Sequence, residues 1–191
     1  MAGGIMYDYC DNISILNTIL WNDWPCELLP WESTAAISYN CISGGYEGEG
    51  NISTDPLFAD ANNGDYHIKS QYGRWDAAAR RWVYDAVTSS CIDAGDPTSD
   101  WTAELWPHGG RINIGAYGGT PEASMSASTT GSVADLHVDS VVDLLDYAMM
   151  ASQWAVDNVG YRYPIRSDMN RDGVVDMMDV SLLAEHWLEG R

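Results

Sequence analysis

The sequence predicts a mixed fold, an all-β N-terminal part followed by a small α-helical part. Three observations predict it. The first 125 or so residues run in short β-branched stretches broken by Gly, Asn and Asp, the composition of strands bounded by turns. Residues 124–132, from Ser124 to Ser132, are small and polar with no hydrophobic period, and read as a flexible linker. Beyond them come two amphipathic stretches of helical period, each preceded by an Asp-rich loop. The chain thus divides into residues 1–123, a linker over 124–132, and a tail over 133–191.

In the first part, Ile13 to Trp21 is one apolar-rich run and Ala35 to Ile42 is another, with Asn17, Asn22 and Asn40 set in or beside them. Runs about twenty residues apart suggest a solenoid of parallel strands in which Asn stacks between coils. A sandwich of antiparallel strands is the competing reading, and two runs do not decide between them. Gly73 to Asp76 and Arg81 to Tyr84 flank an Ala-rich turn. This spacing predicts a hairpin with Trp75 and Trp82 as a cross-strand pair.

Composition narrows the partners. The net charge is -19, with nine Lys plus Arg, so nucleic acid would be repelled over most of the surface. Nine Trp and eleven Tyr stand against one Phe. Such residues suit either packing between coils or stacking on carbohydrate. No segment has the roughly 18 apolar residues that cross a bilayer. Cys10, Cys26, Cys41 and Cys91 form no CxxC pair, which argues against a zinc ribbon. Their spacing fixes no disulfide, and buried free thiols are an equal reading. The N-terminal residues lack the basic start and apolar run of a signal peptide and resemble the interior of a repeat. The expectation is therefore a C-terminal piece of a longer exported protein.

The tail carries the strongest internal signal. Displaced by 33 residues, Asp135 falls on Asp168, Asp139 on Asp172, Asp143 on Asp176 and Asp146 on Asp179. Val141 and Val142 fall on Val174 and Val175, Ala151 on Ala184 and Trp154 on Trp187. The second copy places Asp168, Asn170 and Asp172 at loop positions 1, 3 and 5. Gly173 stands at the bend, Val174 offers a carbonyl at position 7, and Asp176 and Asp179 stand at positions 9 and 12. Ca²⁺ takes roughly six to eight oxygen ligands, and this alternation turns them inward. Position 12 departs from the EF-hand pattern, which has Glu there. The first copy, with Asp135, His137, Asp139, Val141, Asp143 and Asp146, is degraded. His137 replaces an oxygen donor with imidazole, a poor calcium ligand, and Ser140 replaces the bend glycine. Val142, Leu145, Ala148 and Met149 would share one apolar helix face, as would Val180, Leu183, Ala184 and Trp187.

With Asp at position 12, a doubled loop-helix unit and no helix ahead of the loop, residues 134–188 resemble a type I dockerin. The resemblance implies a calcium-binding, EF-hand-like module that docks a secreted protein onto a cohesin-like domain. It also implies that loop positions 10 and 11, here Leu144, Leu145, Met177 and Met178, help recognise the partner. Many dockerins carry small hydroxyl residues at those positions, so an apolar set implies a different partner class or a greasier interface.

Asp55 to Asp60, Gly64 to Lys69, Ser90 to Pro97 and Asn113 to Gly119 follow in an order similar to the C-terminal end of bacterial right-handed parallel β-helix proteins. That resemblance covers residues 3–122. It implies an end of such a β-helix, with polysaccharide as a possible partner and a polysaccharide-degrading system as the setting.

No catalytic residue is assigned. Asp93 and Asp96 lie in a Gly/Pro turn and read as turn-capping acids, and His67 and His108 read as isolated. Docking and anchoring is the favoured function. The alternatives are the end of a polysaccharide lyase or glycoside hydrolase with part of its groove, and a structural cell-surface or adhesion protein.

Overall fold

The computed structural model describes residues 4–157 and 163–190. Among them lie ten short strands and two α-helices. The first six strands are β1 (Ile5–Asp8), β2 (Ile13–Leu16), β3 (Ile19–Leu20), β4 (Leu28–Trp31), β5 (Ala35–Ser38) and β6 (Cys41–Ile42). They pair in parallel, β1 with β4, β2 with β5 and β3 with β6, so that Ile5 faces Leu28, Ile13 faces Ala35 and Ile19 faces Cys41. Each apolar run expected as one strand is broken in two, at Asn17–Thr18 and at Tyr39–Asn40. Asn17 and Tyr39 both take left-handed backbone angles there, with φ of 53° and 55°, which turns the chain at a corner.

Asparagine ties the successive turns together. Asn40 is fully buried. Its Oδ1 accepts from the Thr18 amide at 2.9 Å, and its Nδ2 donates to the carbonyls of Ile15 and Ser38 at 2.9 and 2.8 Å. Asn51 repeats the pattern one step on, accepting from the Asn40 amide at 2.9 Å and donating to the Ile37 carbonyl at 3.0 Å. A buried amide side chain is tolerated because its bonds replace those the corner backbone would lack. Tyr7, Ile15, Leu20, Ile37 and Ile42 fill the interior beneath. Among the described residues every sheet has two strands and none closes on itself.

Two antiparallel pairs follow. β7 (Phe58–Asp60) pairs with β8 (Asp65–Ile68), and β9 (Arg74–Asp76) with β10 (Arg81–Val83). Trp75 and Trp82 face each other in the second pair with ring centroids 5.5 Å apart, as their spacing predicts, and Trp75 is completely buried.

The expected linker is partly structural. Ser124, Met125 and Ser126 are buried. The Ser124 carbonyl accepts from Asn113 Nδ2, the Met125 amide bonds the Gly73 carbonyl, and the Ser126 amide bonds the Pro107 carbonyl. Only from Ala127 does the segment come to the surface. The small side chains that suggested flexibility are what lets this backbone fit against its neighbours.

The tail folds around α1 (Leu144–Ser152) and α2 (Met177–Glu185). Its core is Ala134, Leu136, Val142, Met150, Ile165, Met169, Val175 and Leu183. The inward face differs from the one the apolar pattern suggests. Met150 and Leu183 are innermost, while Leu145, Ala148 and Ala184 are exposed and Met149 is only partly buried. The reason is that each inward stripe begins with an acid. Asp146 stands one turn before Met150, Asp179 one turn before Leu183, and both acids are fully buried. A search for apolar residues passes over them.

Candidate metal centre

The two Asp-rich loops lead directly into the helices and cap them. Asp143 is the N-cap of α1 and Asp146 its third residue, and each side chain bonds the other's backbone amide. Asp176 and Asp179 form the same capping box on α2. Positions 9 and 12 of both loops therefore satisfy helix-end amides that would otherwise lack partners. The buried Asp179 does more. Its Oδ1 accepts from the Met169 and Asn170 amides at 2.8 and 3.2 Å, and its Oδ2 from the Asp176 amide at 2.9 Å. Asp146 holds the amides of His137 and Asp143 at 2.8 Å each.

The internal repeat extends to individual bonds. The Ser140 amide donates to Asp135 Oδ2 at 2.9 Å, and the Gly173 amide to Asp168 Oδ2 at 3.0 Å. The Val141 and Val174 amides donate to Asp139 and Asp172, both at 3.0 Å. Ser140 and Gly173 both have positive φ, 71° and 99°. Ser140 therefore makes the glycine bend in spite of its side chain.

The loops also close each other. The Val175 amide donates to the Val156 carbonyl and the Ala155 amide to the Val175 carbonyl, both at 3.0 Å. Correspondingly, the Val142 amide donates to the Glu189 carbonyl at 3.0 Å and the Leu188 amide to the Val142 carbonyl at 2.9 Å. Each loop is zipped to the residues that follow the other copy's helix. Val142 and Val175, at position 8, are the buried valines. Val174, at position 7, is exposed, and Val141 is half-buried.

Asp168 and Asp135 separate the two loops chemically. Asp168 is buried, and its Oδ1 has no hydrogen-bond partner. Burial pushes its carboxyl up to about 6, and the nearby Asp179 and Asp172 carboxylates push the same way. An unpartnered buried carboxylate oxygen facing other acids is costly without a cation. Asp135 in the first loop uses both oxygens internally, accepting from the Asp139 and Ser140 amides. At position 3, Asn170 donates to Asp172 Oδ2 at 2.8 Å, and its own Oδ1 accepts from the Asp172 amide at 2.9 Å. His137 turns its Nδ1 to Asp139 Oδ2 at 3.3 Å on the surface. Among the described residues no three Asp, Glu, His or Cys side chains converge as a finished metal cage. The acids are instead held by the loops' own amides, and the donor set of the second loop, with its orphaned oxygen, fits a hard cation better than the first.

Leu144 and Leu145 open α1 and Met177 and Met178 open α2, and the four are 70, 52, 64 and 61% exposed. Two contacts that the sequence did not signal join the tail to the strand region. Arg166 Nη2 donates to the Thr102 carbonyl at 2.6 Å, and Arg171, between Asn170 and Asp172, donates to the Trp106 carbonyl at 2.9 Å.

Elsewhere His67 is not isolated. It is buried, its ring nitrogens contact Asp65 at 2.6 Å and Glu122 at 3.1 Å, and Tyr117 stacks on its face at 3.5 Å. Nδ1 is engaged within β8, and Nε2 joins β8 to the segment before the tail. His108 packs against Trp101, the two rings tilted by 44° with centroids 4.5 Å apart. Asp96 caps its turn through the Thr98 amide and hydroxyl, while Asp93 reaches further, to the Gly109 amide and the Ser126 hydroxyl.

The family model described as Dockerin type I domain matches residues 133–188. That described as Disaggregatase related matches residues 34–95. No curated protein and no solved structure matches the chain. No helix among the described residues is long and apolar enough to cross a membrane.

Proposed function

We propose that the tail is a calcium-dependent docking module carried at the end of a β-helix of an exported polysaccharide-degrading protein. The observation that carries the calcium assignment is the orphaned Oδ1 of buried Asp168. In this reading Asp168, Asn170, Asp172, the Val174 carbonyl, Asp176 and Asp179 hold the ion of the second loop. Asp135, His137, Asp139, Val141, Asp143 and Asp146 hold a weaker one or none. The ion supplies the positive charge that the clustered carboxylates lack.

The match to the type I dockerin family over residues 133–188 supports a cohesin-like domain as the partner. The exposed Leu144, Leu145, Met177 and Met178 form the contact surface in this reading. Apolar side chains at both helix starts suit a partner with a complementary apolar patch. The same match supports an exported or cell-surface setting. The parallel pairing of β1–β6 and the Asn bonds between turns support the β-helix reading of residues 1–123. The Disaggregatase related match over 34–95 is compatible with it and assigns no reaction. The domain division is 1–123, 124–132 and 133–191, with the accessible part of the connection beginning at Ala127.

Calorimetric titration of the full chain with CaCl₂ tests the metal assignment. One dominant binding event, lost in Asp168→Ala and kept in Asp135→Ala, is expected. Equal loss in both variants would reverse the ranking of the loops, and no heat in the parent chain would end the calcium reading. Capture of cohesin domains by the calcium-loaded chain, weakened by Met177→Asp, tests the surface.

A further inference from the structure

Four cysteines are free in this structure, and they divide into two kinds. Cys10 is exposed and Cys26 half-buried, whereas Cys41 and Cys91 are fully buried. Cys41 lies next to the end of one apolar run, at the start of β6. Cys91 lies fifty positions later, in the turn that follows the hairpin. The fold brings both into one core cluster with Ile68 and Ile114.

Their surroundings fix the two sulfurs against each other. Each thiol shifts the other's acidity, raising Cys41 and lowering Cys91, as two neighbouring sulfurs do. Cys41 Sγ also contacts the Thr54 carbonyl at 3.2 Å, and the Thr54 hydroxyl meets the hydroxyl of Ser90, the residue before Cys91. The backbone is held on both sides. The Cys41 amide donates to the Thr18 carbonyl at 2.9 Å, and the Ile114 amide to the Cys91 carbonyl at 2.8 Å. Neither Cys10 nor Cys26 belongs to this cluster.

We propose that Cys41 and Cys91 are a disulfide-forming pair, the modification site that locks the second turn of the strand region to the segment beneath the hairpin. The chemistry is thiol–disulfide exchange with a small-molecule disulfide such as oxidised glutathione. The Cys91 thiolate attacks one sulfur of the oxidant, and the first glutathione thiolate leaves. Cys41 loses its proton and attacks the Cys91 sulfur, and the second glutathione thiolate leaves. Two protein thiols are oxidised and one disulfide is reduced to two thiols. The two sulfurs are interchangeable in this balance, and attack by Cys41 first gives the same bond. Because both sulfurs are inaccessible in the folded chain, exchange belongs to folding, before the strand region closes over them. The cross-link then closes a long loop of chain and restrains the unfolded ensemble.

The test uses the full chain and needs no assumption about where the protein acts. The reduced, denatured chain is refolded in mixtures of reduced and oxidised glutathione. It is then denatured again, treated with iodoacetamide and weighed, and its peptides are mapped. The expected result is two alkylated cysteines rather than four, with a peptide pair joining Cys41 to Cys91. In Cys41→Ser, Cys91 should become alkylated. Alkylation of all four cysteines at every glutathione ratio, or a bond that uses Cys10 or Cys26, would overturn the proposal. The mass measurement on the parent chain decides it whether or not the variant folds.

Discussion

Arg171 and Trp106 are joined at 2.9 Å from guanidinium to backbone carbonyl, and this bond carries the second Asp-rich loop onto the strand region. The same guanidinium lies 6.0 Å from the Trp82 ring centroid. Arg171 stands between Asn170 and Asp172, so whatever orders that loop also orders the joint. A charge-assisted bond and a stacked ring together are worth about 1.5–3 kcal/mol. Arg171→Ala should speed protease cleavage within 127–131 several-fold, and Arg171→Lys should recover only part of the protection, since an ammonium lacks the planar fork. Unchanged digestion of both variants would mean that the joint holds the tail by other contacts.

Asp168 should respond to substitution with opposite signs in two conditions. Its Oδ2 bonds the Gly173 amide and its Oδ1 is buried without a partner. Asp168→Asn keeps an acceptor for Gly173 and removes a buried charge. In calcium-free buffer the variant should be as stable as the parent or more so. In excess calcium it should lose the ligand-linked stabilisation that the parent gains. Thermal melts of both chains with EDTA and with CaCl₂ measure this, and a parallel shift in the two conditions would refute it.

Ser140→Gly should stabilise the first loop by roughly 0.5–1 kcal/mol, because a serine at a φ of 71° is strained where glycine is not. Adding His137→Asn copies the second loop's position 3 and should tighten calcium there about tenfold. Competition against a chromophoric chelator reads this out, and no second binding step in the double variant would show that the first loop's failure lies elsewhere.

Glu104 gives the strand region a pH dependence. It is buried, its Oε1 accepts from the Asn113 and Gly119 amides at 2.9 Å each, and burial pushes its carboxyl up to about 7. An unfolded glutamate releases its proton near pH 4.3 or so. Between those values the folded chain binds more protons. Its contribution is full below the lower value, falls as pH rises through the window and is lost above about 7. Glu104→Gln keeps an acceptor for both amides, so it should flatten that slope and raise stability at pH 8 by on the order of 2 kcal/mol. Urea denaturation at pH 5 and pH 8 separates the cases, and an equal shift at both would rule the titration out.

What was legible in the sequence was periodic. The 33-residue repeat gave both loops and both helix starts, and the Trp75–Trp82 pair followed from its turn. Less legible were the residues that act across the repeat. Asp146 and Asp179 read as position-12 ligands, and the pattern did not show that each is fully buried and displaces the apolar face of its helix. Asn51 was passed over because its run is too short to register as a strand, although it bonds Asn40 as Asn40 bonds Thr18. Arg166 and Arg171 lie in no pattern, since their partners are backbone carbonyls that no side-chain motif announces. Likewise, His67 looked solitary because Glu122, its second partner, is 55 positions away.

The reciprocal zipping of the loops also sets an order of events at the ribosome. Val142 is paired through Leu188 and Glu189, and Val175 through Ala155 and Val156. During synthesis the second loop finds its strand partner already made, whereas the first must wait until the chain has passed α2. The first copy thus stays open while it is still emerging. A premature stop between the start of α2 and Leu188 would leave an early-made loop open, and the defect would surface far upstream of the lesion.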